Sequence, residues 1–305
     1  MSGLGLGLGL GLGAHRIVDR YGNKPATFSI PANYADTGTK RINFSEPVTV
    51  TMTGGVTLSI GGIPYQSGDT IPVATSPSSN PYHVLTINNP GADAGTITFG
   101  KRKQITYLLL QNLGSSGITG DITGMKLTVL YLSYIGASVI TGDITGMKLT
   151  TLILEGLGSS VITGDITGME LTCLVLDRLG ASVIEGEITG MELIRLYLSG
   201  MGSSLSYGTN PLNITSNSGI QLVGDTVFAT AAEYARLIHD AATGTWGDKY
   251  PFTITAGTTD TDPGWDTVKA DVAVLLTKAA WTIIPSAWLT TNGGSWIPNW
   301  YEYTE

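Results

Sequence analysis

The chain has 305 residues, enough for two or three domains with cores of their own, and only 13% of them are charged. A formal net charge of -8 argues against the basic face that nucleic acid requires, and the run Lys101-Arg102-Lys103 reads as a short solvated edge. The single cysteine, Cys173, excludes an intrachain disulfide, and no run of about 18 apolar residues is present to insert in a membrane.

Residues 3–13 alternate Gly and Leu. In a strand, side chains alternate between faces, so Leu4, Leu6, Leu8, Leu10 and Leu12 would share one side and bare backbone the other. Ordering such a segment is costly unless it docks. Residues 1–14 are therefore read as an assembly arm that attaches to a neighbouring subunit or another protein. With no basic residues ahead of its leucines, the arm is a poor match for a secretory signal, and export by the general secretory route is not expected.

From 15 to 100 the chain reads as a small antiparallel β-sandwich. The runs PVTVTM, VTLSI, HVLTI and TITF are strand-like, and Gly, Pro, Asn and Asp punctuate them at Thr53-Gly54-Gly55, Gly61-Gly62-Ile63-Pro64, Ser67-Gly68-Asp69 and Asn88-Asn89-Pro90-Gly91. Residues 74–81 read as an exposed loop.

With no linker, residues 101–205 then repeat one 22-residue unit four times, from ITGDITGMKLTVLYLSYIGASV to IEGEITGMELIRLYLSGMGSSL. A half-copy at 104–117 precedes them. A fixed period in this range specifies a solenoid whose units stack on one another. Within LxxLxL, Leu130 and Leu132 fall on one side of a strand, as do Leu152/Leu154, Leu174/Leu176 and Leu196/Leu198. Each strand is expected to pair in parallel with its copy and stack the leucines inside. Ile140, Ile144 and Met147 close the opposite wall, with bends at Gly142 and Gly146. Gly136, Gly158, Gly180 and Gly202 turn the chain out of the strand.

The outward positions of these strands vary where the inward ones do not. Tyr131, Tyr134, Glu155, Asp177, Arg178, Arg195 and Tyr197 lie there and form the candidate receptor-binding face. Asp121, Asp143, Asp165 and Glu187 form an acidic column, read as turn-capping residues rather than cation ligands.

Residues 206–305 hold two helix-spaced stretches, 226–242 and 266–280, each followed by a strand-like run, YPFTITA and WTII. This reads as an α/β C-terminal cap. A tail rich in aromatics follows, where Trp296, Trp300 and Tyr301 could stack on sugar or seal the end. The fold class is thus mainly β with an α/β end. Catalysis finds no support: His15, His83 and His239 are scattered, and GxSxG, HExxH and phosphate-loop motifs are absent. No cofactor or metal is expected.

The LxxLxL segments followed by ITGDI resemble the leucine-rich repeat, specifically the variety with an LxGxI segment. That family places Asn where this chain has Leu113, Ile135, Leu157, Leu179 and Met201. The backbone groups such an Asn would satisfy need other partners, and Ser138, Ser160, Ser182 and Ser204 are candidates. The Gly-Leu start, the near-identical repeats and the closing AEYARLIHDAA and VAVLLTKAAWTI segments resemble tail-fibre or surface-spike proteins of tailed bacteriophages and prophages. That resemblance implies a non-enzymatic virion protein, a homo-oligomer on the tail or capsid exterior. Residues 1–100 would attach to other virion proteins, and 101–305 would adhere to a bacterial surface glycan or protein. The alternative is a bacterial leucine-rich-repeat surface or effector protein that binds a host protein.

Overall fold

The computed structural model describes residues 20–75, 81–115, 117–199, 205–208, 213–214, 220–223, 231–243, 252–254, 270–271, 274 and 281–283. It is mostly β with almost no helix, and the repeats form a β-solenoid of about four turns. The chain divides into two compact units. One comprises Met1–Leu149, Gly156–Asp165 and Gly180–Ser182; the other comprises Thr150–Glu155, Ile166–Leu179 and Val183–Glu305.

The first unit begins with eight strands: Pro25–Ile30 (β1), Thr39–Phe44 (β2), Val48–Met52 (β3), Thr57–Ile60 (β4), Ile63–Tyr65 (β5), Thr70–Ile71 (β6), His83–Asn88 (β7) and Gly95–Lys101 (β8). They form two antiparallel sheets, ordered β6-β3-β8-β1 and β5-β4-β7-β2. Period-two alternation buries Ala26, Phe28 and Ile30 of β1 and Ile97 and Phe99 of β8. Phe44 of the second sheet meets Phe99 of the first, ring centroids 6.0 Å apart. The space left among Phe28, Ile42, Leu85 and Phe99 is about 20 Å³, room for one water and for no larger ligand.

Both sheets run on into the repeats. After a 3-10 turn at Arg102–Gln104, Ile105–Gln111 (β9) pairs antiparallel with β2, Leu108 opposite Ile42; Thr119–Asp121 (β10) pairs antiparallel with β1, Gly120 opposite Phe28. The first rung would otherwise present two open strand edges, and β1 and β2 cover them. Arg102 stands in for a preceding rung, donating from Nη1 to Asp121 Oδ2 at 2.7 Å and to the Thr123 carbonyl at 3.1 Å. Lys40 is only 1% exposed at this junction. Its ammonium is held by Asp36 at 2.7 Å and by the Thr37 carbonyl at 2.6 Å, as a buried charge requires.

The following rungs add Val129–Ser133 (β11) and Val139–Asp143 (β12), then Thr151–Glu155 (β13), which belongs to the second unit, and Val161–Asp165 (β14). In the first unit β9 and β11 pair in parallel, Leu130 opposite Leu108 and Leu132 opposite Leu110. β10, β12 and β14 form a second parallel ladder, Gly120 opposite Ile140 and Gly142 opposite Ile162. Leu130, Leu132, Ile140, Ile144 and Met147 are all buried, as the repeat pattern requires.

One expectation is corrected. Gly142 is not a bend: it lies inside β12, where a Cβ would press on Cγ1 of Ile122. The turn falls at Gly146, φ 72°. Gly136, φ 60°, does turn the chain, and a side chain there would collide with the carbonyl of Gly114.

In the second unit β13 pairs with Cys173–Asp177 (β15), Leu152 opposite Leu174. Val183–Glu187 (β16) and Glu192–Leu193 (β17) follow, and Arg195–Ser199 (β18) joins β15 with Leu196 opposite Leu174. Leu205–Ser206 (β19) pairs with β16 and Asn213–Ile214 (β20) with β17. Ile220–Val223 (β21) pairs with β18. The helix Ala231–Thr243 (α1) precedes Phe252–Ile254 (β22) and Trp281–Ile283 (β23), which extend the same parallel ladder. α1 is moored to residues 207 and 208: Glu233 Oε1 accepts from the Tyr207 N–H at 3.0 Å, Asp240 Oδ2 from its hydroxyl at 2.5 Å, and Arg236 donates to the Gly208 carbonyl at 2.8 Å. The segment 266–280 is described at 270–271 and 274, which are helical.

Candidate recognition face

Rungs are tied by hydroxyls as well as by backbone. Ser160 Oγ accepts from the Ile140 N–H at 2.8 Å and donates to the Ser138 carbonyl at 3.1 Å. Ser182 repeats this with Ile162 and Ser160 at 2.8 and 3.2 Å. Serine hydroxyls thus bind backbone groups of neighbouring rungs, while Leu113, Ile135 and Leu157 are buried. Ser204 lies outside the described residues. Thr123 and Thr145 accept from the N–H groups of Asp143 and Asp165 at 3.2 and 3.1 Å.

Two members of the acidic column, Asp121 and Asp143, cap turns. Asp121 accepts from the Thr123 N–H at 2.9 Å and Asp143 from the Thr145 N–H at 2.8 Å. Burial pushes the Asp121 pKa up, but its hydrogen bonds from Thr123 and the Arg102 guanidinium together outweigh that and hold it below the usual carboxylate value. Among the described residues no cluster of three or more His, Cys, Asp or Glu side chains is arranged to hold a metal.

On the outer side of β9 and β11, Tyr131 stands opposite Leu109 and Val129 opposite Tyr107. This part of the face is covered rather than open. Tyr107, Leu109 and Val129 are buried in an apolar cluster with Tyr82 and Tyr131 packed against it. Tyr82 stacks on Tyr107 at 5.4 Å, and the Arg41 guanidinium lies over Tyr82 at 4.3 Å. The Tyr131 hydroxyl accepts from Gln111 Nε2 at 3.3 Å. Burial raises the Tyr107 pKa against the opposing Arg41 hydrogen bond. Tyr134 differs: its side chain is among the exposed large ones, at 46%.

In the second unit the outward column is Ile153, Val175 and Tyr197. Ile153 is 8% exposed and Val175 0%, so outward direction alone does not make a residue accessible. Tyr197 and Glu155 are half-buried and Arg195 is exposed. Asp177 is buried and carries the ion pair to Arg178, whose Nε and Nη2 both reach its Oδ2 at 2.8 Å. The Cys173 thiol pKa is pushed up by burial, Arg195 opposing the shift and Glu155 adding to it.

Exposure therefore selects Tyr134, Arg178 and Arg195 from the predicted set. Tyr82 and Arg41, which cover the first strands, were not identified from sequence; no period links residues 41 and 82 to the repeats. Trp296, Trp300, Tyr301 and the leucines of the Gly-Leu arm lie outside the described residues. No family model, curated protein or solved structure matches this chain.

Proposed function

We propose that this chain is a non-enzymatic recognition protein of a bacteriophage particle, a tail fibre or surface spike. It is attached through its N-terminal part, assembled as a homo-oligomer and turned outward to bind a bacterial surface receptor with its repeats. One observation carries the reading. In the second unit Leu152, Leu174 and Leu196 are invariant and buried, while Thr151, Cys173 and Arg195, on the other side of the same paired strands, all differ. A fixed scaffold under changing side chains is what a tunable binding surface needs. The continuity of β1 and β2 with the first rung supports an N-terminal part that anchors the stack rather than hangs from it.

The finer fold reading, a leucine-rich-repeat solenoid with an α/β cap, draws support from the LxxLxL pairing and from the order β21, α1, β22. The alternative, a bacterial leucine-rich-repeat surface or effector protein, shares the scaffold and differs in where the chain resides. The deciding experiment is mass spectrometry and immunogold imaging of purified phage particles, using an antibody to residues 101–205. Label on the tail or capsid exterior is expected; particles free of label and peptide would overturn the virion assignment.

A further inference from the structure

Each repeat places one residue between a buried methionine and a buried leucine: Lys126, Lys148, Glu170 and Glu192. All four are exposed, because the neighbours on both sides take the inward places. The charge changes sign along the sequence. Lys126 and Lys148, one repeat apart, belong to the first compact unit; Glu170 and Glu192, also one repeat apart, belong to the second. Among the described residues, none of the four side chains enters an ion pair.

The two glutamates border a cleft of about 710 Å³ that lies within the second unit. Its lining includes a third carboxylate, Glu187, and the buried Met169 and Met191. Among the described residues no cation pairs with any of the three carboxylates. Like charges gathered in one recess repel, and a cationic partner removes that repulsion. Lysine suits the lining: its ammonium answers carboxylates, and its apolar stem can lie against methionine.

We propose that this cleft receives Lys126 and Lys148 of a second copy of the chain. Number, spacing and sign select that partner. Lys126 follows β10 and Lys148 follows β12, which pair in parallel; Glu170 precedes β15 and Glu192 precedes β18, which also pair in parallel. Each pair is therefore one rung apart, on the order of 5 Å, and each projects from the same Met-x-Leu frame. A diffusing cation requires no such match. Because every copy carries both pairs, two copies can exchange them reciprocally and close a dimer, or pass them head to tail along a series. The inference rests on the homo-oligomer of the proposed function and deepens it by naming the contact.

The test is sedimentation velocity of the full chain over a concentration series, with three variants beside the parent. The doubles Lys126→Glu/Lys148→Glu and Glu170→Lys/Glu192→Lys each set like charge against like. Each is expected to weaken self-association about tenfold or more, with the melting temperature unchanged because all four positions are exposed. An equal mixture of the two doubles is expected to associate again, since lysines of one meet glutamates of the other. The fourfold exchange, which inverts both pairs and keeps the parental net charge, is expected to associate like the parent. A parent that stays monomeric, even one whose cleft takes up some other cation, would overturn the proposal. So would undiminished association in either double, or a mixture that fails to recover it. Self-association through these charges by a chain absent from phage particles would keep the contact and remove only the virion assignment.

Discussion

On the wall made by β9 and β11, like stands over like: Leu130 faces Leu108 and Leu132 faces Leu110. On the wall made by β10, β12 and β14, unlike stands over unlike: Gly120 faces Ile140 and Gly142 faces Ile162. The same repeat thus advances by 22 residues along one wall and by 20 along the other. Apolar contact is non-directional, and leucine over leucine fills the interior in identical register. Hydrogen bonds are directional, and the two-residue offset is what lets Ser160 Oγ face both the Ile140 N–H and the Ser138 carbonyl. The offset also sets Gly142 against Ile122 and Gly164 against Ile144, where any side chain on the glycine would clash. Both walls bury apolar side chains, and the second adds serine hydroxyls that bridge the offset rungs.

Three experiments sharpen that contrast. The largest effect is expected on the leucine wall. Leu130→Ala should cost about 2–5 kcal/mol in urea unfolding, because a fully enclosed side chain leaves a cavity that rigid neighbours cannot close. Ser160→Ala should cost about 1–3 kcal/mol, through a buried N–H left without its acceptor. A cost under about 0.5 kcal/mol would mean that hydroxyls do not set the offset of the second wall.

The smallest effect concerns the end of that wall, where Arg102 replaces a missing rung. The folded-state pKa of Asp121 is depressed, so its contribution to stability is present above its ordinary value of 3.8 and is lost as pH falls through the folded value. Melting temperatures followed from about pH 5 to about pH 2 should decline less steeply for Asp121→Asn than for the parent. Equal slopes would show that Asp121 has the same affinity for protons in both states.

Several strands were legible from residues alone. PVTVTM, VTLSI, HVLTI and TITF coincide with β3, β4, β7 and β8, because each has a run of alternating apolar residues between turn formers. β1 and β2 escaped. PATFSI opens on a proline, and TKRINF places Lys40, a charged residue, on its inward side, where its stem is covered and its ammonium finds Asp36. The turn role of Asp121 and Asp143 was readable, since an Asp beside Thr and Gly caps locally without help from distant chain. The accessibility of the face was not readable. Tyr131 and Tyr134 look alike in the sequence, yet one is packed beside Tyr107 and the other is open.

Repetition by itself determined which residues are equivalent, which side of each outer strand is buried, and that stacked rungs must share their hydroxyl partners. It did so because chemical identity at a fixed period forces identical local environments. Only the tertiary structure decided how far successive rungs are displaced on the second wall, that β1 and β2 extend both ladders, and which side chains from residues 41 and 82 roof the first strands. Those outcomes depend on contacts between segments far apart along the chain, and a local period carries no information about them.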